Sequence, residues 1–467
     1  MSVQEPEGIK GFHLVRYGTP ADQKFLLGPF LSTYDQLVIN ATMVAHAPAA
    51  LASFLTQRAR NKPYFIDPQT HAFQHDVGYL ESSSDRSSGE IKRSISKLIE
   101  AYGEPVKTRV GLRRKSLLPR DLSDGGLRKD FCAHVFDFQM RALADEATTS
   151  DAAKYYAFLR KNEVSRRETF LPSLVVAPYF YMASNTLDPW LKVNLNCAED
   201  TLQLAAKDGV PVGVQIVLSR DILHNLPLVH HLVSEYTSRV QPAVFLLWVD
   251  RFPEHAGTAD ELNAFVTLLN GVGSHAAVVN LYGGFFSVTL GRSGIVKNLV
   301  GVAHGLEYSE DRAVVPVGGG IPIAKFYFPS LHVRLPFRDA FRAARALGPF
   351  RSADTFHRKV CDCKECKEVI GSIPLEDFGK YGKTKSVFFE RRGQPTVMDY
   401  PLPETKAHCV RHYMWCKDRE YKTSSQSRQV ATELKQTGRL LEPIVGLESV
   451  AHCDTWATVL LRKPPVS

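Results

Sequence analysis

The chain has 467 residues, 44% hydrophobic and 23% charged, with a formal net charge of +8. That composition excludes a collagen-like, low-complexity or disordered polymer, and no run of about 18 apolar residues offers a membrane span. The start, MSVQEPEGIKGF, has acidic residues and no apolar stretch, so no signal peptide is expected. Eight cysteines with three clustered do not resemble a secreted disulfide framework, and a reducing cytoplasm is the expected setting.

Taken in order, short apolar runs alternate with amphipathic stretches, the rhythm of a βα repeat. Phe12–Tyr17 and Gln36–Asn40 read as strands, and Pro63–Ile66 runs into Asp67-Pro68, where the proline halts the strand and leaves Asp67 at its C-terminal lip. The rhythm then breaks over residues 76–170. Helices are expected there at Glu90–Tyr102, Phe131–Ala147 and Ala152–Asn162. Between Pro105 and Lys129 stand Lys107, Arg109, Arg113, Arg114, Lys115, Arg120, Arg128 and Lys129 against Asp121 and Asp124, with Arg166-Arg167 further on. Such a patch suits a polyphosphate partner or is a solvated loop.

The repeat resumes with a strand at Leu174–Ala177. Helices at Trp190–Lys207, Pro227–Ser238 and Ala259–Asn270 lead to strands at Val212–Val217, Ala243–Val249 and Ala276–Leu281. A last helix-to-strand unit near Ile295–Val302 ends at His304-Gly305-Leu306-Glu307. Eight candidate strands with helical crossovers predict an α/β fold, a (β/α)8 barrel over residues 1–310 that carries 76–170 as a basic helical insertion. Two aspartates, Asp67 and Asp250, fall just past strand ends, where barrels keep catalytic groups. Their rival roles are a helix N-cap for Asp67 and an ion pair with Arg251 for Asp250. Gln74, Gln215, Tyr282, His304 and Glu307 fall at or after strand ends and could line a base pocket.

Beyond residue 310 the pattern changes. A strand is expected at Lys325–Leu335, a helix at Phe337–Ala346, then Cys361-Asp362-Cys363-Lys364-Glu365-Cys366, a basic loop (Lys383, Lys385, Arg391, Arg392) and a helix from near His408. Three cysteines spaced C-x-C-x2-C with a histidine can close a structural zinc tetrahedron, so 311–467 reads as a zinc-binding appendage.

The barrel followed by this motif resembles the tRNA-guanine transglycosylase superfamily. Val38-Ile39-Asn40-Ala41-Thr42 is similar to the family's strand ending in Asn-Thr. Phe65-Ile66-Asp67-Pro68-Gln69-Thr70-His71-Ala72-Phe73-Gln74 is similar to its strand followed by Asp-Ser-Gly-Gly-Phe-Gln. His408-Cys409-Val410-Arg411-His412-Tyr413 resembles the helix whose first histidine is the fourth zinc ligand. The resemblance thus implies His408 beside Cys361, Cys363 and Cys366, with His412 in reserve. Pro-Gln-Thr-His stands where the family has Ser-Gly-Gly, and the strand at Leu174–Ala177 lacks the family's guanine-reading aspartate. These departures point to the DNA-modifying branch, which exchanges guanine in DNA for a 7-deazaguanine such as preQ0. The implied chemistry is double displacement through a covalent aspartyl-sugar intermediate, with Asp250 as nucleophile and Asp67 as general base, or the reverse. Arg113, Arg114, Lys115, Arg166 and Arg167 are the implied nucleic-acid contacts, with other proteins of a modification system as further partners. The alternatives are the same chemistry on tRNA and a catalytically silent paralogue that only binds nucleic acid.

Overall fold

A computed structural model describes residues 7–59, 62–82, 89–149, 170–306, 310–315, 323–348, 350–391, 394–423 and 426–462. They fall into two compact units. The first lies within 1–252, 264–283 and 296–316, the second within 253–263, 284–295 and 317–467.

The first unit is built on a parallel sheet. Its strands are β1 (His13–Tyr17), β2 (Gln36–Asn40), β3 (Tyr64–Asp67), β4 (Val175–Val176), β5 (Tyr181–Met182), β6 (Val212–Leu218), β7 (Val244–Val249), β8 (Ala277–Asn280) and β9 (Leu299–Gly305). In space they run β3-β2-β1-β9-β8-β7-β6-β4, all neighbours parallel, with β5 also pairing β6. Most strand residues are buried on both faces, as a parallel sheet covered by helices requires. Ahead of β4, Ser173 N donates to the Tyr64 carbonyl of β3 at 2.8 Å, so the two end strands approach and the sheet is curled. Leu14, Val38, Phe65, Val176, Val217, Leu246, Val279 and Ala303, one from each of eight strands, form a single inner apolar cluster.

The expected crossover helices form at Leu187–Asp208, Leu226–Arg239 and Ala259–Gly273. The last, Phe285–Arg292, lies earlier than expected, because Gly294 adopts φ +71° and stops it ahead of β9. In the insertion, Arg93–Tyr102 is a helix that buries Ile95, Leu98, Ile99 and Tyr102, one face at helical spacing. A second helix spans Gly125–Arg141, and the expected one at 152–162 lies outside the described residues.

In the second unit the expected single strand at 325–335 is a hairpin, β10 (Lys325–Phe328) with β11 (Val333–Pro336). Helices follow at Phe337–Leu347, Ala353–Lys359, Lys364–Val369 and Pro374–Gly379. The expected basic loop is an antiparallel ribbon, β12 (Thr384–Arg391) with β13 (Gln394–Pro401). Helices Pro403–Lys422, Ser427–Val445 and Leu447–Leu461 close the unit. Rings of Phe326, Phe337, Phe341, Phe350 and Phe356 surround Phe378. Only glycine fits at 382, since a Cβ there would run into the Phe337 ring.

Candidate metal centre and strand-end site

In the second unit the cysteine motif folds into a turn whose backbone serves its own sulfurs. Cys363 N donates to Cys361 Sγ and Cys366 N to Cys363 Sγ, both at 3.4 Å, and Cys363 caps the helix Lys364–Val369. Helix Pro403–Lys422 brings His412 and Cys416, one turn apart, against them. His412 Nε2 lies 2.7 Å from the Tyr327 carbonyl. A carbonyl only accepts, so Nε2 carries hydrogen and Nδ1 turns to the sulfurs. Nδ1 lies 3.2 Å from Cys363 Sγ, 3.3 Å from Cys366, 3.7 Å from Cys416 and 3.9 Å from Cys361. The Cys361 and Cys416 sulfurs are 3.8 Å apart. Zinc bond lengths give tetrahedral edges of about 3.6 Å for N···S and about 3.8 Å for S···S, so the donors fit that ion.

Cys361, Cys363, His412 and Cys416 form a buried group able to hold a metal ion. Cys366 offers a fifth donor and also meets Tyr381 Oη at 3.5 Å. The thiols cannot all ionise together. Hydrogen bonds from Cys363, Cys366 and Cys416 hold Cys361 well below the usual thiol range. Against an opposing contact with Cys361, bonds from Cys366 and Cys416 bring Cys363 to about 5. Burial pushes Cys366 and Cys416 well up. Burial lowers the His412 pKa, but the Cys363 and Cys361 thiolates outweigh it and raise it to about 10. A dication binding these donors would expel the shared protons.

The histidine at the sulfurs is therefore His412, whereas His408, implied as the ligand by the resemblance, points elsewhere. Its Nδ1 lies 2.7 Å from Glu365 Oε1, a buried carboxylate also held by Arg411 Nε at 3.0 Å. Cys416 went unnoticed, although its i,i+4 spacing from His412 puts both on one helix face.

In the first unit, Asp67 ends β3 and is fully buried. Its Oδ2 accepts from Arg16 Nη2 at 2.6 Å, and its Oδ1 accepts from Tyr179 Oη and from Gln69 N at 3.1 Å. Arg16 on β1 also donates to Asn40 Oδ1 of β2 at 2.8 Å and lies 4.6 Å over the Tyr282 ring. Burial would raise the Asp67 pKa, but Arg16, then His71, outweigh it and hold it below the ordinary carboxylate value. His71 stacks on Tyr179, meets Trp248 edge-on at 5.2 Å, and is pushed by burial down to about 3.

Asp250 follows β7 directly. Its Oδ1 accepts from Val314 N at 2.7 Å, and Oδ2 faces Arg251 Nε at 3.4 Å. The carbonyl of Arg312 accepts from Trp248 Nε1 at 3.2 Å and from Arg251 N at 3.1 Å. Arg312 Nη1 donates to Tyr282 Oη at 3.2 Å, so Arg312–Val314 crosses the strand ends. Burial lowers His75 to about 4 against the opposing pull of Asp250. Asp67 and Asp250 thus sit on the same strand-end lip, linked through His71, Trp248 and His75.

The other expected pocket residues divide. Tyr282 lies at this lip. Gln74 spends its amide on the backbone of β5, Oε1 to Tyr181 N at 2.6 Å and Nε2 to Tyr181 O at 2.9 Å. Gln215 lies inside the sheet in the same alternating series as Val217, and neither amide atom has a partner. His304 is on the opposite face from inward Ala303, with its Nε2 2.7 Å from His13 Nε2. It is therefore not part of the lip. Arg113, Arg114 and Lys115 are exposed, and Arg114 meets Glu81 at 3.3 Å. Arg166, Arg167 and Glu307 lie outside the described residues. Arg16 was missed, though a lone cation in the run Leu14-Val15-Arg16-Tyr17 was its signal.

No protein-family model matches the chain, and no curated protein matches it. No helix among the described residues is long and apolar enough to cross a membrane.

Proposed function

We propose that the protein is a base-exchange transglycosylase that replaces guanine in DNA with a 7-deazaguanine such as preQ0. One observation carries the reading most. Beside the two strand-end aspartates, Arg16 Nη1 and His75 Nε2 are buried polar atoms with no partner, which is how a polar ligand site looks before it is filled. The curled sheet is read here as a (β/α)8 barrel whose seam is the β3–β4 approach, with the site at the C-terminal strand ends.

Asp250 is the nucleophile, because its side chain keeps 11% exposure where Asp67 keeps none. It attacks C1′ of the flipped nucleotide, the bond to guanine breaks with its electron pair going to N9, where guanine takes up a proton from solvent, and an aspartyl-sugar ester forms. The deazapurine then attacks the same carbon and releases the carboxylate. Both Asp67 oxygens are taken up inside the protein, so Asp67 orients Arg16 and Tyr179. Proton removal from the incoming base falls to His75, neutral at pH 7, which then gives the proton up to solvent. Substrate must displace Val314 N from Asp250. Cys361, Cys363, His412 and a fourth sulfur would hold zinc as a structural tie, since four protein ligands leave no open position.

A second reading, a silent paralogue that binds nucleic acid without chemistry, is favoured by the saturation of Asp67. The two separate in a guanine-exchange assay with duplex DNA and tRNA offered in parallel. Entry of labelled guanine into DNA supports the first, entry into tRNA alone moves the same chemistry to RNA, and no entry with retained binding supports the second.

A further inference from the structure

The helix Phe337–Leu347 in the second unit carries its cations in one line. At about 100° per residue, Arg338, Arg342 and Arg345 fall in a narrow stripe directly opposite the buried Ala340, Ala343 and Ala344. The alanines hold the helix to the β10–β11 hairpin, and the arginines are exposed. Among the described residues the stripe's one ion pair is Arg342 with Asp339 at 3.8 Å, a surface contact of little strength. The surroundings extend the charge. Phe350 stacks on Phe341 and Phe356 on Phe350, which brings helix Ala353–Lys359 back beside the first. The Lys359 stem passes over Gly348 at the first helix's end. Over residues 337–359 six arginines and lysines, all exposed, stand against two aspartates, a net +4 of the chain's +8. Half of the net charge thus lies in 23 of 467 residues, more than solubility asks of one surface.

We infer that the arginine face of this helix is a nucleic-acid contact that lies along the phosphate backbone of a DNA duplex. The choice of DNA rests on the proposed base exchange, but the surface belongs to the second unit and takes no part in the strand-end chemistry. Guanidinium forks suit phosphate oxygens, which they can meet with two hydrogen bonds at once. Three of them spread over roughly 10 Å of helix, and duplex DNA carries a charge for about every 1.7 Å of its axis, so each fork can find a phosphate. A helix that lies on a membrane would set large apolar side chains beside its cations. Among the described residues between 337 and 359 no large apolar side chain is exposed.

The test is binding of full-length protein to a fluorescent duplex at several salt concentrations, each variant being checked by circular dichroism and metal content. Arg338→Gln/Arg342→Gln/Arg345→Gln should weaken binding at least about tenfold at low salt and lower the salt slope by up to about three. Lys192→Gln/Lys207→Gln/Lys297→Gln removes the same charge from exposed positions of the first unit and should bind as wild type. Unchanged affinity and slope in the arginine variant, with wild type binding duplex, would overturn the inference and leave the DNA reading standing. Equal losses in both variants would trace the effect to net charge and overturn it too. Wild type that binds no duplex ends both readings, and arginine-dependent binding to phosphatidylserine vesicles in its place would make the face a membrane surface. Arginine-dependent duplex binding by a protein that exchanges no guanine keeps this surface and ends the proposed chemistry.

Discussion

His412 is held to the Tyr327 carbonyl at 2.7 Å through Nε2, and that bond aims Nδ1 at the sulfurs of Cys361, Cys363, Cys366 and Cys416. His412→Ala should therefore lower zinc affinity by more than about a hundredfold and lower the melting temperature. His408→Ala removes only a partner of Glu365 and should keep the metal. Metal content per chain after dialysis against a graded chelator measures both.

Five donors converge here, and a zinc ion held tetrahedrally would use four of them, leaving one sulfur surplus. The match of Cys416 to tetrahedral edges, and the second partner that Cys366 finds in Tyr381, make Cys366 the surplus thiol. In the cobalt-substituted protein, Cys416→Ser should lose about a third of the thiolate-to-metal charge-transfer absorbance, with Cys366→Ser near wild type. The reverse would return the site to the spacing first noticed in the sequence.

Arg16 and Asp67 form an ion pair buried to 4% and 0% exposure. Arg16→Met leaves a carboxylate alone in the interior and should cost about 3–5 kcal/mol in urea denaturation. Arg16→Lys keeps the charge but not the fork that holds Asn40 as well, and should fall between.

Glu420 in the second unit carries a pH signature. Burial would raise its pKa, but Lys417, then His332 and Tyr327, bring it from 4.5 to about 2. A depressed carboxylate stabilises above its unfolded value and loses that contribution as pH falls through its folded one. The window is thus pH 4.5 down to about 2, with about 3 kcal/mol at stake. Glu420→Gln should flatten the fall in stability across that window, measured by denaturant unfolding at each pH.

The fold was legible where hydrophobic periodicity governs. Strands at 36–40, 212–217 and 243–249, buried on both faces, and their crossover helices formed within a few residues of expectation. The ribbon at 384–401 was not legible, because its strands, TKSVFFER and QPTVMDYP, mix polar, charged and apolar residues without a strict alternation, and their described residues are exposed or half-exposed. Asp67 and Asp250 could be placed at strand ends from the sequence, but their partners could not. Tyr179 reaches Asp67 across 112 positions and Val314 reaches Asp250 across 64. His408 and His412 both lie on the helix Pro403–Lys422, and what distinguishes them, Glu365 beside the first and the Tyr327 carbonyl behind the second, lies 43 and 85 residues upstream.

Exchange of guanine in DNA at Asp250 is tested by incubating the protein with duplex DNA and preQ0, then digesting the DNA for mass spectrometry of its nucleosides. The expected result is the preQ0 deoxynucleoside with wild type and none with Asp250→Asn, which keeps an acceptor for Val314 N. Full product from Asp250→Asn, or no modified deoxynucleoside from wild type that binds both DNA and preQ0, would contradict it.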